Sequence, residues 1–155
     1  MKKVMFVCHG NICRSPMAEF IFKDMLKKEG LSDKYTVSSS ATSTEEIPGG
    51  VGNPIYPPAK AELGRRNIPF EDRRAVQLTR GDYGKYDLFL AMDSKNLRNI
   101  YLIFGKDTEG KVKKLLDFTG GGDVADPWYS GNFEKAYNDI YDGCKALLGY
   151  LEGEE

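Results

Sequence analysis

The apolar positions of this chain alternate between two spacings, a short extended run and a longer segment of helical period. Residues 3–7 are mostly β-branched and aromatic and stop before a Gly10-Asn11 loop, which is the pattern of a short strand. After Pro16, apolar side chains recur at helical spacing, opposite a charged face; they are Ala18, Ile21, Phe22 and Met25. The chain is therefore predicted to open as strand, loop and helix.

The same alternation continues to the end of the chain. Further strands are predicted at residues 35–39, 88–91 and 112–116, and further helices at 57–65, 95–104 and 133–151. Ser94 is predicted to cap the second of these helices, and the last helix has the clearest apolar stripe. Strands that alternate with helices predict an α/β fold with a four-stranded, parallel, doubly wound sheet.

Composition and charge are typical of one globular domain over residues 1–155. With 41% hydrophobic, 12% aromatic and 29% charged residues, the chain is not of the disordered class. Its 22 basic and 23 acidic residues leave a formal net charge of -1, so no broad positive field indicates binding to nucleic acid or a membrane surface. An anionic ligand must therefore be bound by a few groups at its site, since the overall charge of the protein does not attract it.

The lengths of the apolar runs and the number of cysteines indicate the cellular location of the protein. The first apolar run spans about five residues, which is short of the ~7–15 of a secretory signal, and no run approaches the ~20 of a membrane span. Three cysteines, an odd number, in a chain that can build its own core indicate a reducing compartment. We therefore expect a cytoplasmic protein without stable membrane association.

The first loop carries the clearest chemical signal. In doubly wound sheets ligands bind at the carboxyl ends of strands, and the first strand delivers Cys8 there, followed by five residues and Arg14. Those five residues can curl so that backbone N–H groups point at one tetrahedral oxyanion, with the positive end of the next helix behind it. Gly10 and Asn11 tolerate the backbone conformations of such a curl. This spacing predicts a phosphate cradle.

Within the predicted cradle, Cys8 is the candidate nucleophile. The loop amides, the helix end and the Arg14 guanidinium favour its thiolate form, and Ser15 can donate a hydrogen bond to the sulfur. Arg14 also offers a planar fork that matches two oxygens of a phosphate dianion. Alternatively, Cys8 only ends a buried strand and Ser15 only begins a helix, but that interpretation leaves Arg14 unexplained. The Gly-Lys-Ser/Thr ending of a nucleotide-binding loop is absent.

The segment from Val7 to Glu19 resembles the signature of the low-molecular-weight protein tyrosine phosphatases, and the resemblance covers the whole chain. Further motifs follow in the family's order; they are Ser38-Ser39-Ser40-Ala41, Gln77-Leu78-Thr79, Ala91-Met92-Asp93 and Asp126-Pro127-Trp128-Tyr129. The resemblance implies a three-layer sandwich of flavodoxin-like topology. It also implies that phosphotyrosine is hydrolysed through a cysteinyl-phosphate intermediate, without a cofactor.

Asp126 is the predicted general acid and base. A tyrosine oxygen leaves phosphorus faster when it is protonated, because the free phenol has a pKa of about 10, and Asp126 can donate that proton. In the family the same residue then activates the water that hydrolyses the cysteinyl phosphate. Alternatively, Asp126 and Pro127 only initiate a turn. Trp128 and Tyr129 are predicted to wall a slot that suits phenyl phosphate better than the shorter phosphoserine, with core packing as their alternative.

The resemblance also implies a network that supports the cradle. In the family it joins four residues, of which three match here: Asn11, Ser15 and Ser39. The fourth is a histidine in the family, whereas Arg73 takes its place in this chain, so we expect an altered network. The loop at residues 42–50 lacks the aromatic residue that usually faces the substrate, and Tyr56 is the candidate to replace it.

The remaining cradle residues are expected to contact the substrate through the loop. They are His9, Gly10, Ile12 and Cys13. His9, the only histidine, is placed on the rim without a catalytic role, and Ile12 is placed there beside the leaving group. Cys13 either packs the loop or captures oxidised Cys8 as a disulfide, a pairing known in the family.

Other functions compete with phosphotyrosine hydrolysis. Arsenate reductases share the fold and first loop but need further cysteines, and residues 79–104 contain none. A related branch that hydrolyses arginine phosphate has threonine at the position of Ile12. A non-enzymatic phosphoprotein-binding or redox-sensing module would not need Asp126.

The expected partners follow from the leading hypothesis. They are a tyrosine-phosphorylated protein as substrate, and phosphate or another oxyanion as product or inhibitor. No Cys, His and carboxylate cluster has metal-ligand spacing, so no metal is expected. We expect a monomer with at most weak self-association.

Overall fold

The computed structural model describes residues 1–153; the last two residues of the predicted domain lie outside the described part. The strands are β1 (Lys2–Cys8), β2 (Tyr35–Ala41), β3 (Leu88–Ala91) and β4 (Val112–Lys114). The α-helices are α1 (Arg14–Lys28), α2 (Pro57–Arg65), α3 (Ser94–Phe104), α4 (Pro127–Ser130) and α5 (Phe133–Leu151). Short 3-10 turns lie at Ser32–Lys34, Pro48–Gly50, Arg80–Gly84 and Leu115–Thr119.

The four strands form one parallel sheet in the order β2-β1-β3-β4, which confirms the predicted doubly wound α/β class and flavodoxin-like topology. β1 lies in the interior of the sheet, paired with β2 on one side and β3 on the other. β2 is two residues longer than predicted, because its pairing with β1 continues to Cys8 and Ala41. The first loop therefore leaves the sheet from an interior strand.

Alternate side chains of β1 enter two separate cores, because successive residues of a strand point to opposite faces. Val4, Phe6 and Cys8 join the core formed with α1, α2 and α5. Met5 and Val7 join a smaller core that includes Ile100 and Phe104 of α3. The sheet is thus covered by helices on both faces, which confirms the three-layer sandwich.

β4 is shorter than predicted, because the chain turns inward at Leu115 to begin a 3-10 turn. Leu115 is fully buried, and a Cβ atom added at Gly143 of α5 would lie 2.6 Å from its Cγ. Glycine at this position lets the helix approach the turn closely. Residues 115 and 116, predicted as the end of the strand, therefore belong to the 3-10 turn, where Leu115 packs against α5.

The cap of α3 differs from the prediction by one residue. Asp93, rather than Ser94, is the N-cap, and its Oδ1 accepts a hydrogen bond of 2.7 Å from the Asn96 N–H. The Ser94 hydroxyl instead lies 3.1 Å from a carboxylate oxygen of Asp123. Serine and aspartate can both cap a helix. Here the Ser94 hydroxyl contacts Asp123, which is distant in sequence, and Asp93 occupies the N-cap position.

Candidate active site

The loop between β1 and α1 curls around the sulfur of Cys8 at the carboxyl end of the sheet. Asn11 has a left-handed backbone (φ 59°), and its N–H lies 3.2 Å from Cys8 Sγ, in position to donate to it. The Ser15 hydroxyl lies 3.0 Å from the same sulfur. Cys8 is only 2% exposed, so its sulfur lies at the bottom of the loop and is surrounded by hydrogen-bond donors.

Arg14, the first residue of α1, lies buried beside this loop. Its Nη1 donates to Asp93 Oδ2 at 2.7 Å and to the carbonyl of Val124 at 2.8 Å. Burial alone would lower the pKa of this guanidinium, but the charge of Cys8 and the nearby carboxylates outweigh burial and raise the pKa. Arg14 therefore stays charged and is held in a fixed orientation.

Asp126 lies beside the other terminal nitrogen of the Arg14 guanidinium. It is the N-cap of α4, where its Oδ1 accepts the Trp128 N–H at 3.0 Å, and its Oδ2 lies 3.5 Å from Arg14 Nη2. Helix α4 has only four residues, so no periodicity in the sequence could predict it. The segment that carries Asp126 is flanked by glycines 120–122 and Gly131, all at positive φ.

Cys8, Arg14 and Asp126 line one pocket of about 150 Å³. The predicted contact residues His9, Gly10, Ile12 and Cys13 also line it, together with Trp128 and Tyr129. The structure thus brings together residues that are separated by more than 110 positions in the sequence.

The aromatic wall of this pocket is supported by further aromatic rings. The Trp128 ring lies 4.7 Å from the Tyr56 ring, which in turn packs against Phe133. Tyr56 supports Trp128 from behind rather than facing the pocket itself, so it does not replace the aromatic residue absent from loop 42–50. Tyr129 is 84% exposed and projects from the rim.

Loop 42–50 contributes charge to the pocket instead of an aromatic ring. Glu45 and Glu46 line the rim, and Glu45 is paired with His9. This partner lowers the pKa of the Glu45 carboxyl, which is largely exposed. Sequence reasoning assigned no role to either glutamate.

Two predicted contact residues, Ile12 and Cys13, are buried. Ile12 is only 7% exposed and belongs to the main hydrophobic core, so it forms part of the pocket wall rather than projecting from a rim. Cys13 is 5% exposed, and burial, assisted by the charge of Cys8, raises the pKa of its thiol. Cys13 therefore stays protonated at neutral pH.

Behind the loop, Ser39 and Arg73 both contact Asn11. Asn11 Nδ2 donates to Ser39 Oγ at 3.0 Å, and Arg73 donates to Asn11 Oδ1 at 2.9 Å. Glu19, which sequence reasoning gave no role, is paired with Arg73 although it is only 5% exposed. A glutamate among the apolar residues of α1 is the signal that indicates such a buried partner.

Two further properties concern the described residues 1–153. No three His, Cys, Asp or Glu side chains there are placed to hold a metal ion. No helix in this part of the chain has the length and apolar character needed to cross a membrane.

Comparison with known proteins identifies the family. The profile of the family described as low molecular weight phosphotyrosine protein phosphatase matches residues 3–155. The low molecular weight protein-tyrosine-phosphatase YfkJ of Bacillus subtilis is 38% identical over 100% of this chain and 99% of its own, and its crystal structure superposes with a TM-score of 0.92.

Two further relatives indicate the same family. PtpA of Staphylococcus aureus, also named a low molecular weight protein-tyrosine-phosphatase, is 36% identical over 97% of this chain and 94% of its own. The crystal structure of SP-PTP from Streptococcus pyogenes, 36% identical, covers 100% of both chains with a TM-score of 0.85. The chain therefore belongs to the low molecular weight phosphotyrosine protein phosphatase family and is an enzyme of that class.

Proposed function

We propose that this protein hydrolyses phosphotyrosine monoesters in proteins through a cysteinyl-phosphate intermediate. The observation that carries the proposal is the convergence of Cys8, Arg14 and Asp126 on one pocket. These three side chains are the nucleophile, the anion-binding group and the acid that the reaction requires.

In the first step the Cys8 thiolate attacks phosphorus and the tyrosine oxygen departs. The cradle amides and Arg14 hold the non-bridging oxygens of the phosphoryl group. Arg14 has five N–H donors. Asp93 and Val124 occupy the two on Nη1, and Asp126 lies 3.5 Å from Nη2, so the second N–H of Nη2 and the Nε–H can serve the phosphate. Asp126 donates a proton to the departing oxygen, so tyrosine leaves as a neutral phenol.

In the second step water hydrolyses the cysteinyl phosphate. Asp126, now a carboxylate, accepts a proton from the attacking water. The phosphorus–sulfur bond breaks, the Cys8 thiolate is regenerated, and inorganic phosphate leaves as the product. Phosphate and similar oxyanions are therefore expected to compete with the substrate for the cradle.

The depth of the pocket supports tyrosine as the substrate residue. Cys8 lies at the bottom, and Trp128 and Tyr129 form the wall toward the surface. A flat phenyl ring can lie along this wall while its phosphate reaches the sulfur, whereas the side chain of phosphoserine is shorter. Ile12 gives the guanidino group of phosphoarginine an apolar surface without a hydrogen-bond partner.

A comparison of matched peptides tests the proposal. We expect kcat/KM to be highest for a phosphotyrosine peptide and lower by at least about a hundredfold for the phosphoserine and phosphoarginine versions, the size expected when the leaving group does not fit. Arsenate reduction is assayed alongside. A preference for phosphoarginine, or arsenate reduction without aryl phosphate hydrolysis, would refute the proposal.

Cys13 is proposed to protect Cys8 during oxidation. Peroxide converts the Cys8 thiolate to a sulfenic acid and releases hydroxide; the Cys13 sulfur then attacks, which forms a disulfide and releases water. Both thiols line the same pocket. Since the pKa of Cys13 is raised and the thiolate is the attacking species, bridge formation is expected to accelerate as pH rises.

The variant Cys13→Ser is expected to keep its activity before oxidation but to recover much less of it when reductant is added after peroxide. The physical reason is that Cys8 then proceeds to irreversible oxidation products. Activity before and after the peroxide cycle measures this, and mass spectrometry detects the bridge in the unmodified protein. Equal recovery of both proteins would show that Cys13 only packs the loop.

A further inference from the structure

A single aromatic residue connects the cradle with the segment that carries Asp126. Tyr56 is the N-cap of α2, and its backbone N–H donates to the carbonyl of Ile12 in the cradle at 2.9 Å. The centroid of its ring lies 4.7 Å from that of Trp128 and 6.0 Å from that of Phe133. The backbone of Tyr56 is thus fixed to one half of the site, and its ring contacts the other half.

The Trp128 ring and the Asp126 carboxylate belong to one short turn. Helix α4 has four residues, and the Trp128 N–H donates to Asp126 Oδ1 at 3.0 Å. A shift of the Trp128 backbone therefore disturbs a hydrogen bond that orients this carboxylate. The contact between Asp126 Oδ2 and Arg14 Nη2 is 3.5 Å long, so it constrains the carboxylate only weakly. The orientation of Asp126 thus depends on where Trp128 is held.

The chain is anchored differently on the two sides of Asp126. On the side before it, Val124 is fully buried, and its N–H donates to a backbone carbonyl at 2.8 Å. On the side after it, residues 128–132 are all exposed. Trp128 is 49% exposed, so the rest of its surface is covered, and the Tyr56 ring lies against it. Contact between these two aromatic rings therefore anchors the exposed side of the turn.

We propose that Tyr56 is a positioning residue for Asp126, because its ring holds Trp128 and thereby keeps α4 where the carboxyl can reach the leaving oxygen. An acid must lie within hydrogen-bond distance of the oxygen that it protonates, so a small displacement of α4 is enough to lower kcat. Binding of the phosphate by the cradle and Arg14 does not require this contact. Because Asp126 is the acid only under the proposed function, this role of Tyr56 rests on that function.

Tyr56 also contributes to packing, since its ring lies against the buried ring of Phe133, so three variants are needed to separate packing from positioning. Tyr56→Leu removes the aromatic ring and leaves an apolar side chain. Tyr56→Phe keeps the ring and removes only the hydroxyl. Phe70→Leu is the matched control, because Phe70 is likewise a partly buried aromatic residue packed against the main core, and it does not line the pocket.

The first readout is the fluorescence of Trp128, which is the only tryptophan of the chain and therefore reports on this contact directly. In Tyr56→Leu we expect lower fluorescence anisotropy and stronger quenching by acrylamide, because the indole is no longer covered by the Tyr56 ring. Tyr56→Phe and Phe70→Leu should both match the unmodified protein. Unchanged fluorescence in Tyr56→Leu would show that Tyr56 does not hold Trp128 and would overturn the proposal.

The second readout is a double-mutant cycle between Tyr56 and Asp126, measured as kcat and KM for a phosphotyrosine peptide. We expect Tyr56→Leu to lower kcat by on the order of tenfold and to change KM by no more than about twofold, whereas Tyr56→Phe keeps kcat near normal. In the Asp126→Asn background, where this side chain donates no proton, Tyr56→Leu should lower kcat by less than about a further twofold. Phe70→Leu should lower the melting temperature and leave kcat within about twofold of normal.

Two kinetic results would overturn this proposal while the proposed function stands. One is an equal loss of kcat from Tyr56→Leu with and without Asp126→Asn, which would show that Tyr56 does not act through Asp126. The other is the same loss in Phe70→Leu, which would show that kcat only follows stability. If Asp126→Asn by itself leaves kcat unchanged, Asp126 is not the acid, and the proposed mechanism fails together with the role of Tyr56.

Discussion

Replacement of Cys8 by serine is expected to abolish phosphotyrosine hydrolysis while the protein still folds and binds phosphate. A serine hydroxyl stays protonated at neutral pH, so the pocket loses its nucleophile, but the loop amides and Arg14 still face the anion. Loss of a nucleophile from a working site lowers kcat by on the order of 10⁴–10⁶-fold. Steady-state kinetics with an aryl phosphate measure the loss, and calorimetric titration with phosphate measures the binding that remains.

Cys144→Ser is the matched control for this substitution. Cys144, in α5, is the third buried free thiol of the chain, and burial raises its pKa. It lies in the hydrophobic core away from the pocket, so its replacement is expected to lower the melting temperature and to leave kcat within a few-fold of normal. Activity above a few per cent in Cys8→Ser would remove Cys8 from the nucleophilic role.

Asp126→Asn is expected to lower kcat for phosphotyrosine by on the order of 10²–10⁴-fold, the range for a positioned general acid. Asparagine caps helices about as well as aspartate, so the amide can still accept the Trp128 N–H and α4 should persist. The fall in kcat therefore measures the effect of losing the proton that Asp126 donates to the leaving group. It should shrink along a series of aryl phosphates as the leaving phenol becomes more acidic, because such phenols need less protonation.

Asp123→Asn provides the control on the same segment. Asp123 contacts Lys114 and Ser94 instead of Arg14, and its pKa is lowered by the Lys114 ammonium. We expect its replacement to change kcat by no more than a few-fold with every leaving group. A loss in Asp126→Asn that is equal across the series would exclude Asp126 as the acid.

Local pattern was enough to predict most of the architecture. The apolar stripe of α5 predicts the helix with its observed bounds, and the extended run at residues 3–7 predicts β1, which extends one residue further at each end. The end of β4 could not be read in this way, because it depends on how closely α5 approaches Leu115 across Gly143. That approach joins two segments that are distant in sequence, and local propensity contains no information about it.

The same distinction applies to the candidate site, where contiguous motifs could be predicted and contacts between distant residues could not. The spacing of Cys8 and Arg14 is contiguous, so the sequence alone indicates a cradle. Asp93, which holds Arg14, is 79 positions away from it, and Arg73 is 54 positions from Glu19. Such polar pairs leave no periodic pattern. Only an unusual residue, such as a glutamate inside an apolar helix face, indicates that a partner exists, and it does not identify that partner.

The two halves of the site differ in local stability. Cys8 ends a strand that is paired on both sides and packed into the main core, so exposing it requires most of the domain to unfold. Asp126 lies on a segment flanked by glycines 120–122 and Gly131, and only Val124 and Pro127 of residues 123–130 are buried. With so few buried side chains, this segment is expected to open by local fluctuation more readily than β1. Under the proposed mechanism, a molecule in such a partly opened state keeps its nucleophile, Cys8, and loses its acid, Asp126. It can still accept a phosphoryl group from an acidic phenol, but it turns over phosphotyrosine poorly.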